Sequence, residues 1–302
     1  MLQVPRLFPS SEAENRVIGV SASESRSGFS VVMTDLVPSL HAADMVGSQW
    51  FPLYLYDPDA SDVDADDEGT TMPLFVADSA PAAYKAQAVE PQPGRHDGIT
   101  DEGLAHFQSF YPEESITKED VFYYVYGILH SPEYRERYAD NLGKELPHIP
   151  RVVSPADFWA FSRSGRQLGE LHVGYERVAE FPATIEGPSR PKPEQLRVEK
   201  MKFGKGKDKS VIHYNAFFTV RGIPAEAYDY VVNGKSAIEW VMERQRVTTD
   251  KASGIVKDAN AWATEVAGDP RYPLSLLLRV ITVSLKTVEI VKALPGLDLE
   301  GE

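Results

Sequence analysis

The sequence predicts an α+β fold: a mixed or antiparallel sheet with a basic hairpin, packed against several helices including a long C-terminal one. Three observations carry this. Short β-branched runs open the chain, at 17–20 (VIGV) and 29–33 (FSVVM). Cap-and-proline signals followed by apolar-aromatic faces fill 117–176. A segment alternating apolar and basic residues, 196–203, then gives way to helical periodicity up to Pro295-Gly296.

Taken in order, 15–35 reads as two strands joined by a Ser/Gly-rich turn, and 50–56 (WFPLYLY) as another strand. Pro52 confines that strand to an edge or a strand start. Residues 57–70 read as an acidic loop and 77–98, rich in Ala, Pro and Gly, as an irregular segment. Thr117 with Asp120 forms a capping box opening a helix through VFYYVYGILH. Ser131-Pro132 stops it and starts another over 134–146, and Ser154-Pro155 starts a third, with Phe158, Phe161, Leu168 and Leu171 on one side. LRVEKMKF (196–203) has the period of a half-exposed strand, with a phase break near Lys200. GKGKDKS is a turn and VIHYNAFFTV a second strand, so 196–220 is expected to be a hairpin joined to the N-terminal strands in one sheet. Pro224 opens a helix over 225–232, Asn233-Gly234 interrupts it, and Ser236 caps AIEWVMERQ. Pro270 introduces the last helix. The expectation is one module over 1–302.

Composition removes whole classes of chemistry. The 302 residues hold 31 Lys+Arg and 45 Asp+Glu, a net charge of −14, and no cysteine. Disulfides, thiolate metal sites and cysteine nucleophiles are therefore excluded, which fits a cytoplasmic location. No apolar run reaches the length of about 18 residues needed to span a membrane, and the first residues do not read as a secretory signal. Charge is uneven: residues 1–120 carry 6 basic and 21 acidic side chains, residues 121–302 carry 25 and 24.

Most motif-like fragments have a simpler reading. The GKS at 234–236 lacks the earlier glycine of a phosphate loop and reads as a helix break with a serine cap. Asp62, Asp64 and Asp66 have calcium-loop spacing, but Asp67 and Pro73 stand where Gly and Glu are required. His41 and Asp44 are weakly spaced for a metal, and His96-Asp97 lacks identifiable further ligands. Nothing assembles a nucleophile or acid/base constellation, and no cofactor is implied. That leaves the lysines. Lys200, Lys202, Lys205, Lys207 and Lys209 recur along the ribbon, and Lys235 and Lys251 stand near helix breaks. Such a ribbon can track phosphates. Lysines also defend an exposed edge strand against aggregation.

Several long runs resemble one family. VFYYVYGILHSPEYRERYADNLGKELPHIP (121–150), FWAFSRSGRQLGELHVGYE (158–176), IHYN (212–215), YVVNGKSAIEWVMER (230–244) and TTDKASGI (248–255) resemble, in order, the C-terminal specificity region of type ISP single-polypeptide restriction-modification enzymes. NRVIGV (15–20) and VMTDLVP (32–38) extend the likeness, while Gln245 departs from the aromatic residue expected there. The resemblance implies a target-recognition domain that reads double-stranded DNA, is not an enzyme by itself, and partners the methyltransferase and helicase portions of the same enzyme. Neither a strand-linked phosphate loop nor the (Asn/Asp)-Pro-Pro-Tyr motif of such methyltransferases occurs, so the chain is expected to be a fragment or short reading frame holding only the specificity part. The expected DNA contacts are the seven lysines, Lys200, Lys202, Lys205, Lys207, Lys209, Lys235 and Lys251. The alternative is a non-catalytic docking module that packs on those portions without reading DNA. A stand-alone hydrolase using dispersed carboxylates is the remaining class.

Overall fold

A computed structural model describes residues 4–10, 13–21, 28–38, 48–57, 94–251 and 253–299. Most of the acidic loop, much of the 77–98 segment, and the His41/Asp44 pair lie outside the described residues. The chain forms two compact units, Met1–Val173 with Ala293–Glu302, and Gly174–Lys292.

The first unit begins with a short helix, α1 (Val4–Leu7), and three antiparallel strands in the order β2-β1-β3: β1 (Val17–Val20), β2 (Val31–Thr34) and β3 (Gln49–Pro52). Pro52 is thus on an edge strand. The strand expected over 50–56 is two. Leu53 donates its N–H to the Arg16 carbonyl, and Asn15 accepts from the Tyr54 N–H and donates to the Tyr54 carbonyl. That side chain turns the backbone away from β1, and β4 (Tyr54–Tyr56) pairs instead with β5 (Arg95–Asp97). The end of the segment read as irregular is therefore a strand.

Helices follow: α2 (Asp101–Phe110), α3 (Lys118–His130), α4 (Pro132–Arg137), α5 (Ala139–Leu142) and α6 (Pro155–Val173). The Thr117/Asp120 capping box and the Ser131 cap with Pro132 are present as the sequence indicates. The helix expected over 134–146 is broken at Tyr138, whose dihedrals leave the helical region. Every residue from Val121 to His130 is buried, because α3 lies against α6 on one side and β2 on the other. Its tyrosines stay satisfied: Tyr124 donates to the Pro150 carbonyl, and Tyr134 of α4 to that of His148.

The second unit holds a four-stranded antiparallel sheet in the order β6-β9-β8-β7: β6 (Thr184–Glu186), β7 (Lys202–Phe203), β8 (Val211–His213) and β9 (Thr219–Arg221). A short helix, α7 (Pro193–Leu196), precedes β7. The basic ribbon and the N-terminal strands thus lie in separate sheets, not one. Alternation along a strand fixes which face is buried but not which strand is its neighbour. The run 211–220 is two strands rather than one. Asn215 breaks it, its Oδ1 accepting from the Phe217 and Phe218 N–H groups while its amide donates to the Gln195 and Arg197 carbonyls. The helix expected over 225–232 is a short 3-10 turn, Ala225–Tyr228, followed by β10 (Val231–Val232). Asn233 and Gly234, with φ of 47° and 76°, make the tight turn to β11 (Lys235–Ser236).

Ser236 and Glu239 form the capping box of α8 (Ala237–Arg244). The small ribbon β12 (Thr248–Thr249) with β13 (Val256–Lys257), then α9 (Ala259–Glu265) and α10 (Tyr272–Lys292), complete the unit. Its core joins Val198, Met201, Ile212, Tyr214 and Val220 to Ile238 and the inner face of α10, Leu274, Leu277, Leu278 and Ile281. Each such side chain fully buried contributes about 1.5–3 kcal/mol. The phase break is visible in burial: Leu196, Val198 and Met201 are buried while Glu199 and Lys200 are exposed.

Candidate nucleic-acid interface

The antiparallel register lines up one side-chain row across four strands: Lys202 opposite His213, His213 opposite Thr219, and Thr219 opposite Glu186. Directly opposite residues share a face. Phe203, Ile212 and Val220 form the adjacent row, facing the core, so the Lys202 row faces water. His213 Nδ1 lies 3.1 Å from Thr219 Oγ1, and Arg221 pairs with Glu186 at 2.8 Å. That row of the outer face is thus polar from edge to edge, while Val211, on the same face opposite Arg221, is apolar and buried.

At the β7–β8 tip, Lys205–Lys207 form a 3-10 turn. Gly204 donates to the Asp208 and Val211 carbonyls, and Gly206 and Lys207 have φ of 73° and 65°. Glycine tolerates that left-handed region and lysine does so at a cost. Hydrogen bonds from Ser210 hold the Asp208 carboxyl below its usual range, so it stays ionised beside the lysines.

The seven lysines fall into two groups. Lys200, Lys202, Lys205, Lys207 and Lys251 are exposed and make no ion pair among the described residues. Lys209 and Lys235 are engaged. Lys209 Nζ lies 3.3 Å from Glu239, 5.6 Å from the Phe203 ring centre and 4.9 Å from that of Tyr228. Lys235 pairs with Glu243 and sits 4.6 Å from the Trp240 ring centre. Both are thereby drawn to successive turns of α8. Burial raises the Glu239 carboxyl, but hydrogen bonds from Ser236 and Lys209 outweigh it and the net shift is downward. Lys251 sits on the separate β12–β13 ribbon. His213 and Thr219 join the face of Lys202 through the cross-strand register, which the sequence alone does not display.

Charge follows the division into units. Gly174–Lys292 carries 19 Lys+Arg against 15 Asp+Glu, and the rest of the chain 12 against 30. No group of three or more His, Asp or Glu suited to a metal occurs among the described residues. No described helix is long and apolar enough to cross a membrane.

The model of the type ISP C-terminal specificity domain matches residues 1–276. No curated protein matches the chain. Among solved structures, the type ISP restriction-modification enzyme LlaBIII bound to DNA is 31% identical, with a TM-score of 0.76 over 99% of this chain and 17% of that one. A nuclease-deletion mutant of the type ISP enzyme LlaGI in complex with a DNA substrate mimic is 31% identical, with a TM-score of 0.73 over 98% and 22%. The DrdV–DNA complex gives 31%, 0.71, 97% and 26%. This chain therefore spans between 17% and 26% of the length of those solved chains. With a family match across most of its length and this fold throughout, the chain belongs to the type ISP C-terminal specificity domains.

Proposed function

We propose that the chain recognises duplex DNA by sequence as the specificity part of a restriction-modification enzyme, and does no catalysis itself. Nuclease, motor and methyltransferase work belongs, on this reading, to other portions of such an enzyme. The observation that carries it is the set of exposed ammonium groups at Lys200, Lys202, Lys205 and Lys207, which make no ion pair among the described residues, in a unit whose charge is positive although the chain's is not. Family membership and the DNA-bound relatives support it. Phosphate contacts fix register, while neighbouring polar side chains discriminate base edges at about 1–3 kcal/mol per good contact. Lys209 and Lys235, whose charges Glu239 and Glu243 of α8 already neutralise, are the weaker phosphate contacts of the seven lysines.

Fluorescence anisotropy with mixed-sequence duplexes over a salt series tests the reading. The unaltered chain should bind at low salt with a steep salt dependence. Lys202→Ala, Lys205→Ala and Lys207→Ala combined should weaken binding and flatten the slope by up to about 0.9 for each phosphate no longer neutralised. If the triple variant binds unchanged, the β7–β8 tip is not the interface. If the unaltered chain ignores DNA even at low salt, docking is the better account.

A further inference from the structure

The β12–β13 ribbon buries neither of its faces. Thr249 stands opposite Val256 and Thr248 opposite Lys257, and the pairing continues as Asp250 donates its N–H to the Ile255 carbonyl at 2.9 Å. Consecutive strand residues point to opposite faces. Yet Ile255 and Val256 are 62% and 58% exposed. A ribbon lying on a core would hide one of them. A lone two-stranded ribbon is marginal in water, and bare adjacent β-branched side chains mark a surface meant to be covered.

Charge at the ribbon indicates what covers it. Asp250 is held in the turn, accepting from the Ser253 N–H at 2.7 Å and hydroxyl at 2.9 Å. Asp258 is paired with Arg197 at 2.7 Å and also accepts from Asn260. Arg246, Lys251 and Lys257 are exposed and make no ion pair among the described residues. The ribbon therefore offers apolar tips between three cations that make no ion pair among the described residues, with Asp250 turned into the ribbon's own turn and Asp258 drawn to Arg197. A two-stranded ribbon fits the DNA major groove, about 12 Å wide, where apolar side chains can meet thymine methyl groups.

We propose that this ribbon enters the major groove of duplex DNA, with Ile255 and Val256 against base edges and Arg246, Lys251 and Lys257 on the flanking phosphates. The proposal rests on the DNA-recognition reading and adds a second contact element and two apolar specificity residues to it. Because the chain has no cysteine, Val256→Cys gives a single attachment point for a photo-crosslinker, and Leu36→Cys, at a 71% exposed position of the other unit, gives a control. Both are made in the full chain and irradiated with mixed-sequence duplexes. Crosslinking is expected from position 256 and not from position 36. In parallel, the double variant Ile255→Ser, Val256→Ser should lose about tenfold in affinity with an unchanged salt slope, since no charge is removed. Its circular dichroism should match that of the unaltered chain. A binding-competent chain that fails to crosslink at 256, crosslinks equally at 36, or binds as tightly after the double substitution overturns the ribbon assignment alone; protein capture by the ribbon is then the better reading. A chain that binds no duplex overturns this proposal together with the reading beneath it.

Discussion

Asn260 illustrates how single amide side chains hold this molecule together. It sits in α9, 7% exposed, and matches both backbone groups of Val198: its Oδ1 accepts from the Val198 N–H at 2.9 Å, and its Nδ2 donates to the Val198 carbonyl at 2.7 Å. The amide replaces a strand partner where the ribbon has none, two residues before Lys200. Asn260→Ala leaves a buried donor and a buried acceptor unpaired, at about 1–3 kcal/mol each. The expected destabilisation is about 2–4 kcal/mol, read as a lower denaturant midpoint at unchanged m-value. An unshifted midpoint would refute this role. Neither Asn260 nor Asn215 could be picked out as a brace in the sequence, because an asparagine whose partners lie many residues away has no local signature. Ser236 and Thr117 were legible because their partners, Glu239 and Asp120, lie three residues on.

At the scale of elements, α3 and α6 approach so closely that two glycines line the crossing. A Cβ at Gly165 would stand 1.9 Å from the Tyr123 carbonyl oxygen, and one at Gly127 would stand 2.2 Å from that of Phe161. Both obstacles are backbone and do not swing aside. Gly165→Ala gains about 1 kcal/mol of helix propensity. It must also separate two helices that bury Phe158, Phe161 and the whole inner length of α3. Overpacking of this kind costs about 1–3 kcal/mol, and more where backbone has to move. A net destabilisation of about 2 kcal/mol or more is expected in thermal or chemical unfolding; a variant as stable as the parent would contradict the close approach. Helix existence was readable here, since the apolar period and caps are local. The strands were less so. The first two are legible in their β-branched runs, but the split at Leu53, the turn at Asn215 and the division into separate sheets depend on side chains and partners far along the chain.

For the whole molecule, pH and salt act through different groups. His130 is buried; its Nδ1 donates to the Tyr126 carbonyl at 2.8 Å, and its Nε2 has no partner among the described residues. Burial pushes its imidazole well below the usual 6.5, with Arg135 and His172 adding to the effect. Burial likewise lowers His172 to about 3. A histidine with a depressed folded pKa is neutral in the native state while the unfolded chain takes up the proton. Its contribution is therefore complete above about pH 6.5 and declines as pH falls below that value, at up to about 1.4 kcal/mol per pH unit per group. Carboxylates held below their ordinary values, Glu180 by Arg271 and Asp258 by Asn260 and Arg197 against its burial, give up their contribution only below about pH 4.5. Acid destabilisation should accordingly begin near pH 6.5, about two units before the carboxylates titrate. His172→Gln keeps a partner for the Tyr126 hydroxyl, 2.7 Å from His172 Nδ1, and removes one titrating group. The slope of unfolding free energy between about pH 6.5 and 5 should become shallower by up to about 1.4 kcal/mol per unit, measured by denaturant titration at each pH. An unchanged slope would show that the imidazole is solvated in the native state. Added salt screens repulsion among the 45 acidic groups and so favours the compact state, while it weakens any phosphate pairing made by the lysines. Stability and DNA affinity should therefore move in opposite directions along one salt series, which separates a decline in binding by screening from one caused by unfolding.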